Sequence, residues 1–170
     1  PLDEEYFNYS SQNTGKHTFT FTTLAATCTT TGITTNSGAI TTINTGLTFG
    51  TFANFPCPGQ NTLAVETTVA FTEQPSANTI VDFGLFLRGA STAFAPTDGV
   101  YFRLNSSGFL GVVNYGTSET TVSLTKDFGA TGVTYVENTY HKYLIQTSNI
   151  STTFWIDNFL IYKQIILNMV

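Results

Sequence analysis

The stretch Leu63-Ala64-Val65-Glu66-Thr67-Thr68-Val69-Ala70-Phe71 puts Leu63, Val65, Thr67, Val69 and Phe71 on one side of an extended chain. Ala64, Glu66, Thr68 and Ala70 fall on the other. Strand side chains alternate between faces, so this period-two pattern reads as a strand with one buried face. Val81, Phe83, Leu85 and Leu87 repeat it, opposed by Ile80, Asp82, Gly84 and Phe86. Val100, Phe102 and Leu104 then point inward, with Tyr101 and Arg103 outward. No window carries a sustained helical period. The core is expected from these three strands and the last two, Thr153–Ile156 and Phe159–Tyr162.

Turn chemistry punctuates these runs. Glu73–Asn78 reads as a hairpin loop between two strong strands. Pro96-Thr97-Asp98-Gly99 reads as a turn, with proline presetting φ and glycine taking the position that needs positive φ. Asn105-Ser106-Ser107-Gly108 is another turn, and Asp157-Asn158 is a two-residue hairpin loop. Such signals recur about every eight to twelve residues, the spacing of a sandwich or barrel. Residues 17–23, 26–31, 38–43 and 46–52 read as short Thr-rich strands. Residues 1–15 form an arm expected to dock by Tyr6, Phe7 and Tyr9, and the apolar tail from Tyr162 to Val170 is expected to be a strand. The expected architecture is an arm over 1–15 and one all-β domain over 16–170, a two-sheet antiparallel sandwich of the jelly-roll kind.

Composition narrows the function classes. Threonine fills roughly a fifth of the 170 positions, and only 10% of residues are charged. Threonine is β-branched and stiff, so it suits a strand and covers a solvent face without charge. The net charge is −5, and the six cations, Lys16, Arg88, Arg103, Lys126, Lys142 and Lys163, are scattered. No basic stripe exists for nucleic acid, and no apolar run reaches the length of a membrane span. Cys28 and Cys57 read as free thiols, with a disulfide left open.

The search for reaction chemistry finds little. A glycosidase pair needs two carboxylates about 5–5.5 Å apart in retaining enzymes, yet Glu66 and Asp82 each stand alone in their strands and could meet only across neighbouring strands. His17 and His141 have no nucleophile and acid in triad order. Asp98, Asp127 and Asp157 sit near turns, but none gathers the six to eight oxygens that calcium takes. Neither a catalytic residue, a metal nor a cofactor is expected. Tyr101, Arg103 and Trp155 are the candidate ligand-binding residues, as an aromatic and bidentate-polar set for sugar. The competing reading makes Trp155 a core residue, and leaves Tyr101 and Arg103 on a face that is wet or packed on a neighbouring subunit.

From Thr62 onward the order of segments resembles a concanavalin A-like lectin/glucanase or laminin-G-like sandwich. Leu63–Glu66, Val81–Leu85, Pro96–Arg103 and Gly111–Asn114 carry the resemblance. So do Tyr140-His141-Lys142-Tyr143-Leu144-Ile145 and Phe154-Trp155-Ile156-Asp157-Asn158. More narrowly, residues 15–165 are similar to Thr-rich virion proteins of tailed bacteriophages. The resemblance implies a non-enzymatic structural protein on the surface of a phage particle, a capsid decoration or fibre domain. Its implied partners are capsid or tail proteins and further copies of itself, with host-surface glycans as the lectin-like alternative. The glucanase acidic motif and the legume-lectin metal residues are missing.

Overall fold

The computed structural model describes residues 15–22, 25–29, 31–36, 45–51, 61–88, 94–125, 135 and 138–165. The chain is all-β and divides into two compact units, residues 1–56 with 89–95, and residues 57–88 with 96–170. The expected arm over 1–15, save for Gly15, and the expected strand over 38–43 lie outside the described residues, as do Cys57 and Asp127.

In the first unit β1 (His17–Thr22) pairs antiparallel with β4 (Gly46–Thr51), and β2 (Ala25–Thr29) with β3 (Gly32–Asn36). Strand β3 was not anticipated, because its Thr34-Thr35 centre shows no apolar alternation. Gly46 has a steric reason: a Cβ there would lie 2.9 Å from the Phe94 ring. Cys28 is a free thiol.

The second unit holds two four-stranded antiparallel sheets packed face to face. One runs β6-β7-β8-β9 and the other β12-β11-β10-β5. Their strands are β5 (Leu63–Val69), β6 (Val81–Arg88), β7 (Pro96–Asn105), β8 (Gly108–Tyr115), β9 (Ser118–Ser123), β10 (His141–Thr147), β11 (Ser151–Ile156) and β12 (Phe159–Ile165). Alternation aims Phe102, Leu104 and Phe109 of the first sheet at Tyr143, Ile145, Phe154 and Ile156 of the second, and all are buried. Phe102 is the hub: its ring centroid lies 5.3 Å from Phe83, 5.5 Å from Phe109, 5.3 Å from Tyr143 and 5.2 Å from Phe154.

Two expectations about connectivity are corrected. Glu73–Asn78 is no hairpin: β5 and β6 belong to different sheets, so the segment crosses between them. Gln74 Nε2 ties the crossing down by donating to the carbonyls of Asn105 and Ser106. Pro96–Gly99 is no turn but the start of β7, where a proline is tolerated as first residue. Gly99 does have positive φ, 142°, inside the strand, where a Cβ would lie 2.2 Å from the Leu85 carbonyl oxygen. The last two strands do contribute to the core: β11 supplies Phe154 and Ile156, and Ile161 and Tyr162 of the edge strand β12 pack against it.

The Asp157-Asn158 expectation holds: Ile156 pairs with Phe159, and both loop residues have positive φ, 50° and 69°, as a type I′ turn demands. Gly116 and Thr117 join β8 to β9 in the same way, at φ 55° and 69°. Thr117 is the strained one, since a β-branched residue is an outlier there. Thr117→Gly is expected to stabilise the fold by about 1 kcal/mol, read as a higher urea midpoint with unchanged slope.

Candidate functional site

Two clusters of functional side chains stand on the outer faces of the two sheets. On the β6-β7-β8-β9 sheet, register places Asp82 beside Arg103 and Tyr101 beside Val112. Arg103 lies between two carboxylates. Its Nε and Nη2 donate to Asp82 Oδ1 and Oδ2 at 2.8 and 2.9 Å, and its Nη1 and Nη2 donate to Glu119 Oε2 and Oε1 at 2.6 and 3.0 Å. The Tyr101 hydroxyl donates to Glu119 Oε1 at 2.7 Å and accepts from Asn114 Nδ2 at 3.3 Å. Asn114 Nδ2 also donates to the Pro96 carbonyl, while its buried Oδ1 has no hydrogen-bond partner. One polar cluster thus spans all four strands.

Tyr101 is fully buried and Arg103 is 8% exposed. The two side chains are therefore not wet, and their polar atoms are bonded within the cluster. Arg103 is the residue type for the task, since its planar fork meets carboxylates with two parallel hydrogen bonds. Burial foremost raises the Asp82 carboxyl above its ordinary value, against the pull of Arg103. Burial also opposes ionisation of Glu119, but hydrogen bonds from Arg103 and Tyr101, with the arginine charge, outweigh it and hold that carboxyl low. The Asp82 hydrogen bond leads in strengthening the Arg103 cation, against burial.

Burial first, then the bond to Glu119, pushes the Tyr101 phenol well above the ordinary ~10. A group raised on folding stabilises the fold below its unfolded value, and that contribution is lost as pH rises through the folded one. In an alkaline absorbance titration, one phenol is therefore expected to ionise only above the usual range. Tyr101→Phe should delete that late step and no earlier one.

On the other sheet, Trp155 pairs with Leu144 on one side and Leu160 on the other. It faces away from the core, which sets aside the competing reading of Trp155 as a core residue. The indole Nε1 donates to Thr153 Oγ1, two residues back on the same face, at 2.9 Å. That bond lays the ring along its own strand. Glu66 is on this face, 3.5 Å from Lys142. Asp82 is on the far side of the other sheet, so Glu66 and Asp82 do not meet. Tyr101 and Arg103 are likewise separated from Trp155 by the whole sandwich.

His141 was set aside for lack of partners, yet it is buried with Nδ1 2.6 Å from Asp157 Oδ2. Asp157 Oδ1 also accepts from Lys142 N, and Asp157 N donates to the Lys142 carbonyl. Asp157 therefore serves its turn and clamps the start of β10. Asp98, expected to serve its own turn, accepts from Gly116 N in the β8–β9 turn instead. Glu119 and Asn114 escaped the sequence reading. Their signal was positional: Asn114 lies on the Tyr101 face of β8, and Glu119 is its cross-strand neighbour. Among the described residues no group of three His, Cys, Asp or Glu side chains is arranged to hold a metal, and no helix is long and apolar enough to cross a membrane. No protein-family model, curated protein or solved structure matches the chain.

Proposed function

We propose that the chain is a non-enzymatic structural domain that works by packing against other proteins. The observation that carries this is the apolar row Leu144–Trp155–Leu160 across three strands of an outer sheet face. Ile165 stands exposed on the same face, and Phe159 is exposed beside Leu160. Scattered exposed apolar residues are ordinary, but a contiguous row marks an interaction surface. The setting we propose is the surface of a bacteriophage particle, as a capsid decoration or fibre domain among capsid or tail proteins. Its support is the resemblance of the Thr-rich strands to virion proteins. Jelly-roll connectivity belongs to the same resemblance.

Leu160→Asp combined with Ile165→Asp alters only exposed side chains, so the fold should survive. The double variant is expected to lose association with other copies or with the particle's structural proteins, read by light scattering and co-sedimentation. Association that survives both substitutions would sink this surface.

One observation favours a second reading, a carbohydrate-binding adhesion module. The Trp155 ring is half-buried and bonded to Thr153 on its own strand, and the same sheet face carries Gln146 and Lys142 on the next strand and Glu66 on the one beyond. A flat aromatic beside hydrogen-bonding groups suits a sugar ring. Glycan-array binding that Trp155→Ala abolishes, with the folded spectrum intact, would establish it. A blank array for the parent chain would end it.

A further inference from the structure

We propose that β9 is the edge by which two copies of this chain join, residues 118–122 of one pairing antiparallel with residues 118–122 of the other. The inference rests on the packing reading above and names its partner.

Sheet edges present unpaired backbone groups that another strand can take up, and folded proteins usually blunt them with lysine, proline or bulges. The edges of the sandwich differ in this respect. Strand β12 has a register irregularity and an exposed Lys163. Strand β6 has an irregularity at Leu87/Arg88 and a positive-φ glycine, Gly84, at its centre. Strand β5 carries the exposed charge of Glu66. Strand β9 has none of these. It pairs with β8 residue for residue without a shift, lacks proline and lysine, and leaves every side chain but Val122 exposed.

Charge singles out the same edge. In a chain of net charge −5, copies repel one another. The one charge on β9 is Glu119, and both its oxygens are bonded to Arg103. What remains for a partner is Ser118, Thr120, Thr121, Val122 and Ser123, uncharged and in part β-branched.

The segment is also self-complementary. A two-fold axis normal to the sheet at Thr120 sets Thr120 against Thr120, Glu119 against Thr121 and Ser118 against Val122 of the second copy, so that each pair shares a face. Two threonine hydroxyls then meet at the axis, and the two Glu119 residues stand apart, each opposite a Thr121. A threonine pair of this type favours cross-strand contact, and identical patches meeting about a two-fold axis close without leading to fibres. The two sheets would become one continuous sheet.

The test combines hydrogen exchange at several concentrations of the wild-type chain with light scattering of wild type and a Thr120→Lys/Thr121→Lys variant. Both side chains are exposed, so unchanged thermal unfolding should verify the variant's fold. The expected result is slower exchange of the 118–123 amides as concentration rises, and a native mass that the variant halves. An oligomer of unchanged mass in the variant, with β9 exchange independent of concentration, overturns the β9 pairing and leaves packing to another surface. A wild-type chain that is monomeric at every concentration also overturns it, and the packing reading then stands or falls on the Leu160/Ile165 variant.

Discussion

Arg103→Met is expected to destabilise the fold by about 3–5 kcal/mol, the cost of leaving buried charge without its partner. The magnitude follows from what remains. The Asp82 side chain is 11% exposed and the Glu119 side chain 29%, and both would face one another across a neutral side chain. Urea unfolding at neutral pH would read the loss as a lower midpoint with unchanged slope. The pH dependence carries a second signature. Without the arginine, both carboxyls should shift upward in the folded state. A raised acid contributes stability below its unfolded value and loses it as pH rises, so the deficit should shrink as pH falls toward about 4. Replacing Asp82 and Glu119 by Leu in the same chain should recover part of the loss, because the arginine's absence then strands no charge. A deficit that is the same at pH 4 and pH 7 would mean that the network contributes through packing alone.

Phe102→Ala should cost a similar amount, about 3–5 kcal/mol, by a different route. Phe102 is 1% exposed and touches rings from both sheets. Truncation leaves a cavity among Phe83, Phe109, Tyr143 and Phe154, side chains held by two separate sheets that cannot both collapse into it. The loss should be independent of pH, which separates it from the arginine variant in the same series of measurements. A cost below about 1 kcal/mol would show that the ring cluster repacks freely.

Much of the sandwich was legible because its strands obey one simple rule. Residues 63–71, 81–87 and 100–104 alternate cleanly, so the inner and outer faces of β5, β6 and β7 could be assigned residue by residue. The Asp157-Asn158 turn was legible because two residues of that type tolerate positive φ. What failed was pairing. Nothing in Leu63–Val69 states that its neighbour is His141–Thr147, and a proline-containing segment between two strong strands looks alike whether it turns back or crosses over. The candidate site failed for a related reason. Tyr101 and Arg103 were correctly turned outward, but their burial depends on partners in β6, β8 and β9, and Glu119 gains meaning only when register brings it to the arginine. The core reading of Trp155 failed because a large apolar residue is usually taken to be buried, although its own alternation with Phe154 and Ile156 already pointed it the other way.

The pairing of β5 with β10 has a consequence for the order of events in folding. The four strands from Val81 to Ser123 follow one another through short connections, so each finds its neighbour locally. Val69 and His141, by contrast, pair across roughly 70 intervening positions, a long loop whose closure entropy must be met before any ladder bond forms. The β6–β9 meander can therefore assemble early, while β5 waits, its apolar face uncovered, for a partner that leaves the ribosome much later. During synthesis β5 therefore stays uncovered until residues 141–147 emerge, and substitutions that make it less sticky should raise the yield of folded chain more than they alter its final stability.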